Sequence, residues 1–146
     1  MTISSAICNS FKQEILVGTH NFTASSGNAF KIALYQSDAS LGAGTTAYST
    51  SEEITNTSGS AYSAKGNALT SVTPVASSTT AVCDFADISW TSASFTARGC
   101  MIFNDSASGD PSVCCIDFGG DKTATNGTFT IQFPTADSSD AIIRIA

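Results

Sequence analysis

From Phe30 onward the chain breaks into short segments in which apolar and polar residues alternate, separated by Ser, Thr, Gly, Asn and Asp and almost without charge. A period of two puts successive side chains on opposite faces of a strand, so this pattern specifies half-buried β-strands. Phe129, Ile131 and Phe133 against Thr128, Thr130 and Gln132 give the cleanest case, entered through Asn126-Gly127, a dipeptide favoured in tight turns. Phe95, Ala97, Met101 and Phe103 form a second inward row, and Cys114, Ile116 and Phe118 a third. Phe30, Ile32 and Leu34 alternate with Lys31, Ala33 and Tyr35, which predicts one buried face and leaves Tyr35 on the other. Further strands are expected near 68–75, 80–86, 94–103, 112–118, 128–133 and 141–145.

Helical spacing occurs once, over residues 3–17, where Ile7, Phe11 and Ile15 recur four apart and Gly18 is placed to close the helix. Residues 37–66 turn polar and glycine-rich, with Tyr48, Ile54 and Tyr62 as sparse anchors, and are expected to form a long surface excursion with one or two short edge strands. The final strand is expected to tie residues 141–145 into a sheet. Taken together, residues 1–146 are expected to form a single all-β domain, an antiparallel β-sandwich or jelly-roll-like fold with a short N-terminal α-helix.

Charged residues make up only 12% of the chain, about half the usual share, so Ser, Thr, Asn and Gly must build the surface. A net charge of -6 argues against nucleic acid as a partner, because gripping a phosphate backbone takes clustered Lys and Arg. No apolar run approaches the roughly 20 residues of a membrane helix, so no membrane is expected. The N-terminal sequence lacks a basic region followed by an unbroken apolar stretch, which reads as a protein made in the cytoplasm. Cys8, Cys83, Cys100, Cys114 and Cys115 form no CxxC pair, and neighbours 114 and 115 point to opposite faces of a strand. They read as small buried thiols in a reducing compartment, with one partial disulfide as the alternative.

The residues that carry chemistry are few. His20, in the link between helix and first long strand, is expected to be a solvated or hydrogen-bonded loop histidine, since nothing marks a nucleophile or oxyanion site beside it. Asp117-Phe118-Gly119 spells a kinase magnesium triplet without the other kinase motifs, and is expected to end a strand and turn the chain through Gly119-Gly120-Asp121. Asp105, Asp110, Asp117 and Asp121 lack calcium-loop spacing and read as turn residues, and Glu52-Glu53 as a solvated pair. Asn21, Asn56, Asn104 and Asn126 begin glycosylation sequons that would matter only in a secreted eukaryotic protein. Tyr35, Tyr48, Tyr62 and Trp90 are the better candidates for contact with a partner, with ordinary packing as the alternative. No catalytic, metal or cofactor residue is assigned, and no cofactor is expected.

Five stretches resemble small β-rich virion-associated proteins of tailed bacteriophages: residues 8–12 (CNSFK), 31–35 (KIALY), 95–99 (FTARG), 116–122 (IDFGGDK) and 129–134 (FTIQFP). The resemblance implies a non-enzymatic virion structural protein, with the capsid exterior as the preferred place. There it would act as a decoration or cement protein that binds the major capsid protein lattice and copies of itself, as a homotrimer or homodimer, and stabilises the head. It carries no catalytic residues to transfer. The expected contacts are the helix face Ile7, Phe11 and Ile15 and an exposed Tyr35. Alternatives are a tail, baseplate or fibre-associated module that meets the host surface through residues 37–66, a carbohydrate-binding β-sandwich that stacks sugars on Trp90 or the tyrosines, and a small hydrolase that uses His20.

Overall fold

The computed structural model of the protein describes residues 2–55 and 59–146. Its elements follow in the order β1 (Ala6–Ile7), α1 (Asn9–Leu16), β2 (Phe30–Tyr35), β3 (Asn67–Ala68), β4 (Ser71–Ser77), β5 (Thr80–Phe85), β6 (Ile88–Asn104), β7 (Ser112–Ile131) and β8 (Ile143–Ile145). Five strands form one sheet in the order β1-β7-β6-β2-β3, and three form a second in the order β4-β5-β8, with every named strand pair antiparallel. Phe85 of β5 joins the sheets, with its ring 6.0 Å from Phe30 of β2 and 5.6 Å from Phe133 just beyond β7. The fold is all-β and sandwich-like, with one short helix near its N-terminus. Among the described residues no helix is long and apolar enough to cross a membrane.

The long hairpin β6–β7 absorbs turns that the sequence suggests. Asn126-Gly127 does not open a separate strand: Asn126 takes φ 45°, and the pairing shifts between Ala93↔Gly127 and Phe95↔Ala124, so the dipeptide forms an irregularity inside β7. Gly119-Gly120-Asp121 likewise lies within β7, with Gly119 at φ 76° where the register slips between Gly99↔Asp117 and Ala97↔Lys122. The segments expected at 112–118 and 128–133 are therefore one strand, because β6 supplies a partner along almost the whole length.

The helix is shorter than its apolar spacing suggests. Ile3 bridges Leu41, and Ala6 and Ile7 pair with Cys115 and Cys114, so this end of the segment is extended and the helix starts only at Asn9. Gly18, at φ 78°, ends it as expected, where the Thr19 amide donates to Glu14 O at 2.9 Å.

β2 is buried on both faces, with Ile32, Ala33, Leu34 and Tyr35 all closed to solvent. The segment expected as a surface excursion supplies the second cover. The Ile54 amide donates to Leu34 O at 2.9 Å, the Leu34 amide donates to the Tyr62 hydroxyl at 2.9 Å, and Ala39, Leu41, Ile54 and Tyr62 are buried. Among the described residues of 37–66 the extended pairing is limited to single bridges, such as Tyr35↔Glu53 and Ala47↔Pro111. The last strand, β8, pairs with β5 of its own chain, from Cys83↔Ile143 to Ala81↔Ile145.

Candidate functional site

One polar cluster centres on Glu53, which is buried and not a solvated partner of exposed Glu52. It accepts hydrogen bonds from the Tyr48 and Tyr62 hydroxyls, each at 2.6 Å, and from the Lys65 amide at 2.7 Å. Burial and the bond to Glu53 push the Tyr48 phenol up to about 12 and raise that of Tyr62 further, so both stay protonated donors. On the outer side, Lys65 Nζ pairs with Asp105 at 2.8 Å and Asp110 at 2.7 Å, and lies 5.6 Å from the centre of the Tyr48 ring. Its bond to Asp105, helped by Lys31, holds that carboxyl below the usual range. The donors and acceptors are matched within the cluster, which fastens Tyr48, Glu53, Tyr62 and Lys65 together beside β2.

A second cluster holds His20 in the core and away from solvent. Its Nε2 lies 2.7 Å from Glu14 Oε2, and its Nδ1 lies 3.2 Å from Asn104 Nδ2. The ring lies among Phe11, Phe22 and Phe30, at centroid distances of 5.0, 6.2 and 6.2 Å. Fully buried Asn104 also donates to Thr19 O and Asn28 Oδ1, and accepts the Ser106 and Ala107 amides. His20 is thus hydrogen-bonded, as one of its two expected states had it, and both ring nitrogens are engaged.

The four carboxylates separate into two ion-pair groups: Asp105 and Asp110 lie outside the strands, while Asp117 and Asp121, expected in turns, lie within β7 because β6 pairs along that stretch. Asp105 and Asp110 share Lys65; Asp117 accepts from Arg98 Nε at 3.1 Å and from the Gly119 amide at 3.0 Å, and Asp121 lies 3.9 Å from Arg98. The Gly119 amide and Arg98 lower the Asp117 carboxyl. Among the described residues no group of three or more His, Cys, Asp or Glu is placed to hold a metal ion. Of the sequon asparagines, Asn104 is buried, Asn21 and Asn126 are exposed, and Asn56 lies outside the described residues. All five cysteines are free and buried, and burial pushes the Cys83 and Cys114 thiols up to about 12.

Two of the four expected contact residues are corrected by packing. Tyr35 has no exposed surface: its ring is covered by the 37–66 segment and its hydroxyl donates to Ser49 O at 2.7 Å. Phe11 is buried against His20 and Phe22, while Ile7 lies on β1, and both Ile7 and Ile15 are half-buried against the core. Trp90 and Tyr62 are buried too, with rings 6.2 Å apart, so neither offers a face for stacking a sugar. The exposed apolar side chains are instead Leu16 (86%), Val17 (66%), Val75 (55%), Ile145 (54%) and Val72 (41%). Leu16 and Val17 fall between Ile15 and Gly18, which line a groove of about 450 Å³ between α1 and the three-stranded sheet. Phe11, Phe22, Pro74, Val82 and Ile145 also line it. The sequence carries a signal for this patch: Leu16-Val17 extends the helix's apolar run off the Ile7–Phe11–Ile15 stripe, immediately before the closing glycine.

Comparison with family models, with curated protein sequences and with solved structures finds no match to this chain.

Proposed function

We propose that the protein is a non-enzymatic structural component of a tailed-phage particle, a decoration protein of the capsid exterior that attaches to the major capsid protein lattice and to copies of itself. The observation that carries the attachment surface is the exposure of the adjacent Leu16 and Val17 at the end of α1, between Ile15 and Gly18, two residues that line the groove between α1 and the small sheet. Two adjacent water-exposed apolar side chains offer an interaction surface, and a chain with so few charges has little else with which to hold a partner. The clusters around Glu53 and His20 are engaged in holding the fold, which suits a rigid module more than a reactive one. Attachment at many equivalent lattice positions multiplies a modest affinity per site.

The test is cosedimentation of the purified protein with capsids stripped of it, with bound copies counted per major-capsid subunit. Saturation at a fixed ratio in the hundreds per particle is expected, and the double substitution Leu16→Asp/Val17→Asp is expected to abolish it while the far-ultraviolet circular dichroism stays unchanged. Saturation at a few sites would move the protein to the tail or fibre, and absence of binding would remove it from the particle.

A further inference from the structure

A second groove, of about 560 Å³, runs along β7 and reaches the segment before β8. Ile116, Phe118, Ile131, Phe133 and Ile142 line it, and each is half-buried, packed against the core yet still open to solvent in part. The aromatic members are anchored: the Phe118 ring stands 6.3 Å from that of buried Phe129, and the Phe133 ring 5.6 Å from that of Phe85. Between the two ends of the groove, β7 carries its irregularities at Gly119 and Asn126. Irregularities of this kind bend a strand, which lets residues from both parts of β7 share one hollow.

The polar part of the lining is neutral except at one place. Thr128, Thr130 and Gln132 are exposed there, and among the described residues that line the groove Lys122 alone is charged. Lys31, Lys65 and Arg98 each pair with carboxylates, and Arg144 donates to the Ser138 and Ser139 carbonyls. Lys122 forms no ion pair among the described residues, so an unneutralised ammonium borders an apolar hollow. The volume falls within the roughly 300–1,000 Å³ of small-ligand sites, which are likewise mainly apolar with a few polar groups that set orientation. Hydrocarbon gains free energy by leaving water for such a wall, and one ammonium favours one negative charge at its end. A net charge of -6 on the chain works against a head group of higher charge.

We propose that this groove binds a single fatty-acid anion, with the alkyl chain against Ile116, Phe118, Ile131, Phe133 and Ile142 and the carboxylate paired with the Lys122 ammonium. Chain length then sets affinity through the apolar wall, and Lys122 sets the preference for a negative head. Leu16 and Val17 are not part of the lining, so the inference holds or fails independently of where the protein attaches.

The test titrates the full-length protein with octanoate, decanoate and dodecanoate by isothermal calorimetry, each below its micelle-forming concentration, with decanol and decyltrimethylammonium for comparison. Saturation at one fatty acid per chain is expected, with affinity rising about fourfold for each added methylene. Decanoate is expected to bind more tightly than decyltrimethylammonium, and Lys122→Gln to weaken decanoate about threefold to fivefold while leaving decanol unchanged. Ile131→Glu places a carboxylate in the apolar wall and is expected to abolish binding while the circular dichroism stays unchanged. No saturable binding, an affinity independent of chain length, decyltrimethylammonium bound as tightly as decanoate, or Lys122→Gln without effect on decanoate would overturn the proposal. So would self-association through this face that decanoate does not displace. If Ile131→Glu fails to fold, the chain-length series and Lys122→Gln decide without it.

Discussion

The Tyr62 hydroxyl donates to Glu53 Oε1 at 2.6 Å while accepting the Leu34 amide at 2.9 Å, so one buried oxygen links the 37–66 segment to the backbone of β2. Tyr62→Phe leaves both the Leu34 amide and a Glu53 lone pair without a partner inside the protein. An unpaired buried polar group costs about 1–3 kcal/mol, and a loss of about 2–3 kcal/mol is expected in urea unfolding. Glu53→Gln is expected to cost at least as much, because its amide group would face hydroxyl and amide donors where only acceptors serve. A change below about 0.5 kcal/mol in both variants would mean that the segment is held by its apolar anchors alone.

Phe11 and Leu16 stand at opposite extremes of exposure on the same short helix. Phe11→Ala opens a cavity beside the His20 and Phe22 rings and is expected to cost about 3–5 kcal/mol. Leu16→Ala removes a side chain that touches mostly water and is expected to stay within about 0.5 kcal/mol. Thermal unfolding of the two variants distinguishes the helix's core side from its free side, and similar costs for both would contradict this assignment.

Alternation in β6 and β7 was legible because these strands carry large apolar residues on one side: Phe95, Ala97 and Phe129 are buried, while Thr96, Thr128 and Thr130 are exposed. Tyr35 was misread because its cover comes from Ile54, Tyr62 and their neighbours, a polar segment whose few anchors have no local period. Asn126-Gly127 and Gly119-Gly120 carry genuine turn chemistry, but a partner strand continues past both, so the positive φ angles are spent on register shifts. Glu53 and His20 were identifiable as residues yet not as hubs. Their partners are brought together by tertiary packing: Asn104 reaches His20 across 84 positions, and Tyr48, Tyr62 and Lys65 converge on Glu53 at irregular spacings.

Asp84 introduces a pH dependence of definite sign. Burial, together with the nearby carboxylates Asp87 and Asp137, raises its carboxyl above the ordinary value, although the Phe85 amide donates to one oxygen at 2.8 Å. Because the folded value exceeds the unfolded one, the contribution of Asp84 to stability is fully present below the unfolded value and is lost as pH rises through the folded value. Asp84→Asn mimics the protonated acid at every pH. The stability of the variant relative to the unaltered protein should therefore increase from about pH 3 to about pH 8. A relative decrease over that range, measured by urea unfolding at each pH, would show that Asp84 is stabilised as the anion.

Gly66 limits how the 37–66 segment can rejoin the sheet. It sits at φ 65°, directly after Lys65 at φ 70°, and a Cβ added to it would stand 1.8 Å from Ile32 O on β2. Gly66→Ala must therefore push the chain away from β2 as well as strain its own backbone, and the backbone term alone is about 1–3 kcal/mol. Displacement also threatens the Lys65 amide bond to Glu53 and the β2–β3 pairing of Ile32 with Asn67. A total loss of about 3 kcal/mol or more is expected. Gly44→Ala serves as the control, since that glycine has a negative φ or extended backbone and open space around the added atom. Equal tolerance of the two substitutions in thermal unfolding would show that the segment does not press against β2 at Gly66.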